Sequence, residues 1–134
     1  MVLTSAGTAH LHGGSLDEAL AFFKRAIRLS PGHTFVPMTG IAHVQMCLGH
    51  YEECLDCAAR SLAENPNFDV THWMLIAGNA HLGRLDAAKR ALAVLQGMVP
   101  GISLARISLG QHAKDPSRVY VVIHGLRLAG MPET

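Results

Sequence analysis

The sequence predicts an all-α fold, an α-α superhelix in which helical hairpins stack in series. Two observations carry that expectation. Gly14, Gly49 and Gly83 are separated by 35 and 34 residues, Pro31, Pro66 and Pro100 repeat both separations, and each glycine stands 17 residues before its proline. Between these marks lie the segments GSLDEALAFFKRAIRLSP, GHYEECLDCAARSLAENP and GRLDAAKRALAVLQGMVP, whose apolar residues recur at steps of three and four, the period of one helix face. A fixed period of this length marks an array of units, each of which buries its apolar side against the next.

Each segment reads as the second helix of a hairpin. In the first, Leu16, Ala19, Leu20, Phe23, Ala26 and Ile27 share a face; Tyr51, Cys54, Leu55, Ala58 and Leu62 do so in the second, and Leu85, Ala88, Leu92 and Leu95 in the third. Asp17, Glu18, Glu52, Glu53 and Asp86 fall in first turns, where the helix dipole favours negative charge. The glycine before each segment permits the tight exit from the preceding helix, and the proline after it cannot continue the helix it follows. The first helices then run from about Val2 to Leu11, Val36 to Leu48 and Val70 to Leu82, burying Leu3, Ala6 and Leu11, then Met38, Ile41, Ala42 and Met46, then Leu75, Ile76 and Ala80. The units span approximately 1–33, 34–68 and 69–101, and capping helices over 102–134 complete a single domain.

After Pro100 the pattern changes. Asp115 is a good N-cap, Pro116 suits the first helical position, and Val119, Val122, Ile123, Leu126 and Ala129 trace one face until Gly130 and Pro132 end it. A shorter helix from Ser103 to about Gly110 bridges to this capping helix. The run VYVVI also suits a strand by propensity, but no second strand is available to pair with it, so helix is favoured.

A unit of about 34 residues with a small residue in its first helix, glycine at the turn, alanine early in the second helix and proline at the end resembles the tetratricopeptide repeat. The first unit matches best, through Leu3, Gly7, Ala19, Phe23, Ala26 and Pro31. The second keeps Ala42 and Pro66 but has Cys54 at an alanine position, and the third keeps Ala88 and Pro100 with Leu92 at an aromatic one. The resemblance implies a non-catalytic scaffold that binds a partner protein or peptide in a concave groove lined by the first helices. It makes Thr39, His43, Cys47, Trp73, Ala77 and His81 the groove candidates. Trp73 leads them, since aromatics dominate interface energies, and packing of Trp73 between units is an equal alternative. The Lys, Arg and Asn clamp with which some relatives grip a terminal carboxylate is absent there, so an apolar or amphipathic partner segment is expected.

The tail, DPSR followed by GLRLAGMPE, is similar to the close of repeat regions attached to bacterial class III adenylate cyclases and to some winged-helix regulators. That similarity implies the alternative of a regulatory or oligomerisation module. The opening helix begins almost at Met1 with no polar capping helix before it, so its outer face is expected to be covered by a further domain or by a second copy in a homodimer.

Composition narrows the remaining classes. The 134 residues are 49% hydrophobic, enough for a buried core, and 11 Lys and Arg against 10 Asp and Glu build no field for nucleic acid or anionic lipid. No apolar run approaches the roughly 20 residues that span a bilayer, and the start carries no legible secretory signal, so a cytoplasmic address is expected. Cys47, Cys54 and Cys57 make a poor disulfide framework. Cys54 and Cys57 have the gap seen in zinc sites, but both lie within a helix and no second pair follows, so packed thiols are expected in place of a metal. No phosphate loop or nucleophile elbow is present, and neither a catalytic site nor a cofactor is expected.

Overall fold

The computed structural model describes Gly7, residues 15–109 and residues 116–134. Among the described residues every regular element is helical: α1 (Leu16–Leu29), α2 (Phe35–Cys47), α3 (Tyr51–Glu64), α4 (Asp69–His81), α5 (Leu85–Met98), α6 (Leu104–Leu109) and α7 (Pro116–Leu128). The expected opening helix, Gly14 at its turn and the Asp115 N-cap fall outside the described residues, apart from Gly7, which is helical and buried. No helix among the described residues is long and apolar enough to cross a membrane.

The glycines and prolines punctuate the chain as their spacing predicts. Gly49 and Gly83 take φ of 81° and 77°, a left-handed conformation that costs glycine little. In each turn two amides double back on the ending helix: Gly49 N to Met46 O and His50 N to Gln45 O, then Gly83 N to Ala80 O and Arg84 N to Asn79 O. This is a Schellman closure, which satisfies carbonyls the helix end leaves open. At the start of α1, Ser15 Oγ accepts from Glu18 N at 3.4 Å. Helix α2 borrows its cap from another helix, because the Glu64 carboxylate at the end of α3 accepts from the Thr34 amide at 2.9 and 3.1 Å and from the Thr34 hydroxyl.

The hairpins stack in series. Helix α1 packs on α2, α2 on α3, α3 on α4 and α4 on α5, while α2 and α4 also touch each other directly and so form one inner layer. The outer helices α1, α3 and α5 are amphipathic and bury one stripe each, Ala19, Phe23 and Ala26, then Cys54, Ala58 and Ser61, then Ala88, Leu92 and Leu95. The inner helices are apolar nearly all round, as suits helices covered on several sides. One core cluster joins α2 through α7; a smaller one of Ala19, Phe23, Ile41 and Val44 fixes α1 to α2.

Close approach in these contacts depends on missing side chains. A Cβ on Gly40 would lie 2.4 Å from Phe23 Cζ, and one on Gly7 would lie 2.7 Å from Phe23 Cε1, so the Phe23 ring occupies space that a side chain at either glycine would need. A buried hydroxyl cluster ties three helices together: Thr39 Oγ1 of α2 lies 2.7 Å from Ser61 Oγ of α3 and 2.9 Å from Thr71 Oγ1 of α4, with Ser61 and Thr71 3.0 Å apart. Thr39 and Ser61 each reach the Phe35 carbonyl at 2.8 Å, so these hydroxyls are satisfied away from water.

The C-terminal segment is helical through VYVVI, and it closes the fold by folding back across the inner layer. Helix α7 packs on α4 and reaches α2, with α6 against α7. Gly130, at φ 98°, ends α7 with a third Schellman closure in which Met131 N reaches Leu126 O. The tail then turns under α6: Pro132 O and Glu133 O accept from Leu104 N and Ala105 N, both at 2.9 Å, and Met131 is buried.

Candidate functional site: the inner layer and its recess

All of the predicted groove residues lie on the inner layer. Thr39, His43 and Cys47 occur at four-residue steps on α2, and Trp73, Ala77 and His81 do so on α4, so each trio forms one stripe on adjacent helices. The structure brings the two stripes under a common neighbour, α7.

Most of this stripe is engaged by α7 from the same chain. His43 Nε2 donates to Arg118 O at 2.7 Å, and Cys47 Sγ lies 3.8 Å from the same carbonyl. His81 Nε2 donates to Val121 O at 2.7 Å. Ala77 is fully buried beneath Gly125, where a Cβ would lie 2.6 Å from Ala77 Cβ and 2.8 Å from its Cα. The pairing of residues 77 with 125 and 81 with 121 sets α7 antiparallel to α4. A ladder of rings adds to the seat: Tyr51 stacks on His81 at 4.8 Å, His81 lies 5.8 Å from His124, and His124 stacks on Tyr120 at 5.7 Å. Side-chain donors thus grip the backbone of a helix, and a glycine lets its axis come close.

The other end of the layer stays open. Beside α7, Val36, Phe68, Val70, Trp73 and Val119 help to line a recess of about 200 Å³ to which no Asp, Glu, Lys or Arg among the described residues contributes. Thr39 and His43 also border it, but Thr39 Oγ1 is held in the hydroxyl cluster and His43 Nε2 by the Arg118 carbonyl. Trp73 is half-buried, and its indole Nε1 is shut off from solvent with no hydrogen-bond partner among the described residues. Trp73 packs against the core cluster and also lines the recess.

No disulfide joins the cysteines, and Cys54 lies wholly buried. Burial, with smaller contributions from the neighbouring Cys57 and Cys47, pushes its thiol up to about 12, so the thiolate that metal binding or nucleophilic attack requires is strongly disfavoured. Burial raises the Cys57 thiol as well. No three His, Cys, Asp or Glu side chains among the described residues come together as a metal would need.

Sequence reasoning missed the α7 side of the site, Arg118, Val121 and Gly125. Gly125 inside the apolar run VYVVIHGL was the available signal, since a glycine interior to a helix implies close approach by a neighbour. None of the known protein-family models matches the chain, nor does any curated protein or solved structure.

Proposed function

We propose that this chain is a non-catalytic, cytoplasmic interaction module of tetratricopeptide type that receives a helical segment of a partner protein on the inner layer of α2 and α4. The observation that carries this reading is the seat of α7. The layer holds a helix through donors to backbone carbonyls, His43 to Arg118 O and His81 to Val121 O, and through the Ala77–Gly125 contact. Contacts of this kind read helical backbone and a small residue rather than one particular sequence, so the same surface suits a partner helix with glycine or alanine at the crossing point. In this account α7 is the chain's own occupant, and a partner helix competes with it for the layer.

Pull-downs from the source cell with the wild type, Trp73→Ala and Gly125→Val test the reading. Gly125→Val forces α7 off Ala77 and is expected to increase partner recovery, whereas Trp73→Ala removes an aromatic wall and is expected to reduce it. Equal recovery of the same partners by all three proteins would refute the groove assignment. A regulatory role toward a nucleotide cyclase or a transcription regulator is this same activity directed at an attached domain. It makes the same demand on α2 and α4.

A further inference from the structure

The rings around His81 add a side-chain requirement to the backbone contacts of the α7 seat. His81 stacks on Tyr51 of α3 with centroids 4.8 Å apart and planes 11° from parallel, and its Nε2 bond to Val121 O orients the ring toward α7. From α7, His124 brings its own ring to 5.8 Å from His81 and is stacked with Tyr120 at 5.7 Å. These separations fall within the roughly 4.5–7 Å over which aromatic rings attract beyond the area they bury. His124 immediately precedes Gly125, the residue set against Ala77. Ring and small residue are thus met by His81 and Ala77, neighbours one turn apart on α4. Charge has no comparable reader: α2 contains no Asp, Glu, Lys or Arg, and α4 has only Asp69, in its first turn, at the opposite end from His81. Around Gly125 the buried residues Val122, Ile123, Leu126 and Ala129 are apolar and belong to the core cluster shared with α4, where a charged side chain would lose its hydration without a counter-charge.

We propose that the partner helix received on this layer carries an aromatic or imidazole ring immediately before its small residue, with apolar residues three and two places before that small residue and one place after it. The ring takes the position of His124 beside His81 and completes the ladder that begins at Tyr51. This proposal rests on the reading of α2 and α4 as a helix seat and specifies the segment that the seat selects.

Synthetic peptides test it, because α7 itself is a segment of known fit. Full-length Gly125→Val, whose own α7 is forced off Ala77, is titrated by calorimetry with a peptide of residues 116–131 and with the same peptide carrying His124→Phe or His124→Leu; leucine keeps apolar bulk without a ring. The unsubstituted and His124→Phe peptides are expected to bind within about twofold of each other and about fivefold more tightly than the His124→Leu peptide, the preference conferred by one ring pair. In the protein that also carries His81→Gln, which keeps a side-chain donor and removes the ring, that preference is expected to fall to about one. Should Gly125→Val not fold, Leu126→Ala takes its place, since it strips a wholly buried side chain from α7 and leaves α2 and α4 unchanged. Absence of saturable binding by every peptide overturns the helix seat and this inference with it. Equal binding of all three peptides, or a ring preference that survives His81→Gln, leaves the seat standing and overturns the inference alone.

Discussion

Phe23 and Gly40 illustrate how single residues set the spacing between helices. With Phe23 almost wholly buried and Gly40 pressed on its ring, an added methyl has nowhere to go except into the ring or the backbone behind it. Gly40→Ala is expected to destabilise the fold by about 1–3 kcal/mol in chemical denaturation, despite the better helix propensity of alanine. The hydroxyl cluster makes a smaller demand. Thr71→Val removes the α4 member while Thr39 and Ser61 keep each other and the Phe35 carbonyl, so a loss of about 0.5–1.5 kcal/mol is expected in the same measurement. These positions were only partly legible beforehand. Periodicity identified Phe23 and Ala19 as buried, but Thr39 reads as a surface or groove residue until its partners at positions 61 and 71 are known, because pairing between helices leaves no local trace.

At the scale of elements, helix boundaries followed closely from caps and turns. Helix α4 was expected from Val70 to Leu82 and spans Asp69–His81, since the left-handed glycine at 83 and the closing amides fix its end chemically. The cap on α2 was invisible for the opposite reason: the Glu64 carboxylate arrives from α3, thirty residues away. Hydrogen bonds from Thr34 hold the Glu64 carboxyl below its ordinary value of 4.5, and the hydrogen bond from Arg127 does the same for Glu133, whose Oε1 lies 2.7 Å from Arg127 Nε. A carboxyl lowered by folding stabilises the native state above its unfolded pKa, and that contribution is lost as pH falls through the folded value. Acidification below the ordinary carboxylate range is therefore expected to loosen the α2 start and the tail. Glu64→Gln and Glu133→Gln are each expected to flatten the dependence of stability on pH there, as thermal melts across a pH series would detect. Helix α7 is the element most dependent on a single position. In Gly125→Val, hydrogen exchange is expected to accelerate across α7 more than across α3 or α5, whose neighbours do not include residue 125.

Over the whole molecule, the repeat spacing conveyed the serial stack of hairpins because every unit carries the same punctuation, and local chemistry repeated at a fixed interval is readable without coordinates. The path of the C-terminal helix was not readable in this way. Its apolar face, Val122, Ile123, Leu126 and Ala129, is equally suited to the end of the stack or to its inner layer. The choice falls to a long-range fit between Gly125 and Ala77 and to donors on α2 and α4 that meet carbonyls roughly forty to seventy-five residues away. That placement determines both the proposed partner seat and the recess, since α7 fills one part of the layer and walls the other.

The placement of α7 over α4 is tested most directly by the proton contact between the Ala77 methyl and the Gly125 α-hydrogens in nuclear Overhauser spectra of the full chain. A strong cross-peak is expected, accompanied by contacts between the His81 ring and the backbone around Val121. Absence of the Ala77–Gly125 cross-peak, with α7 instead showing contacts to the outer face of α5, would contradict the inner-layer seat and the function built on it.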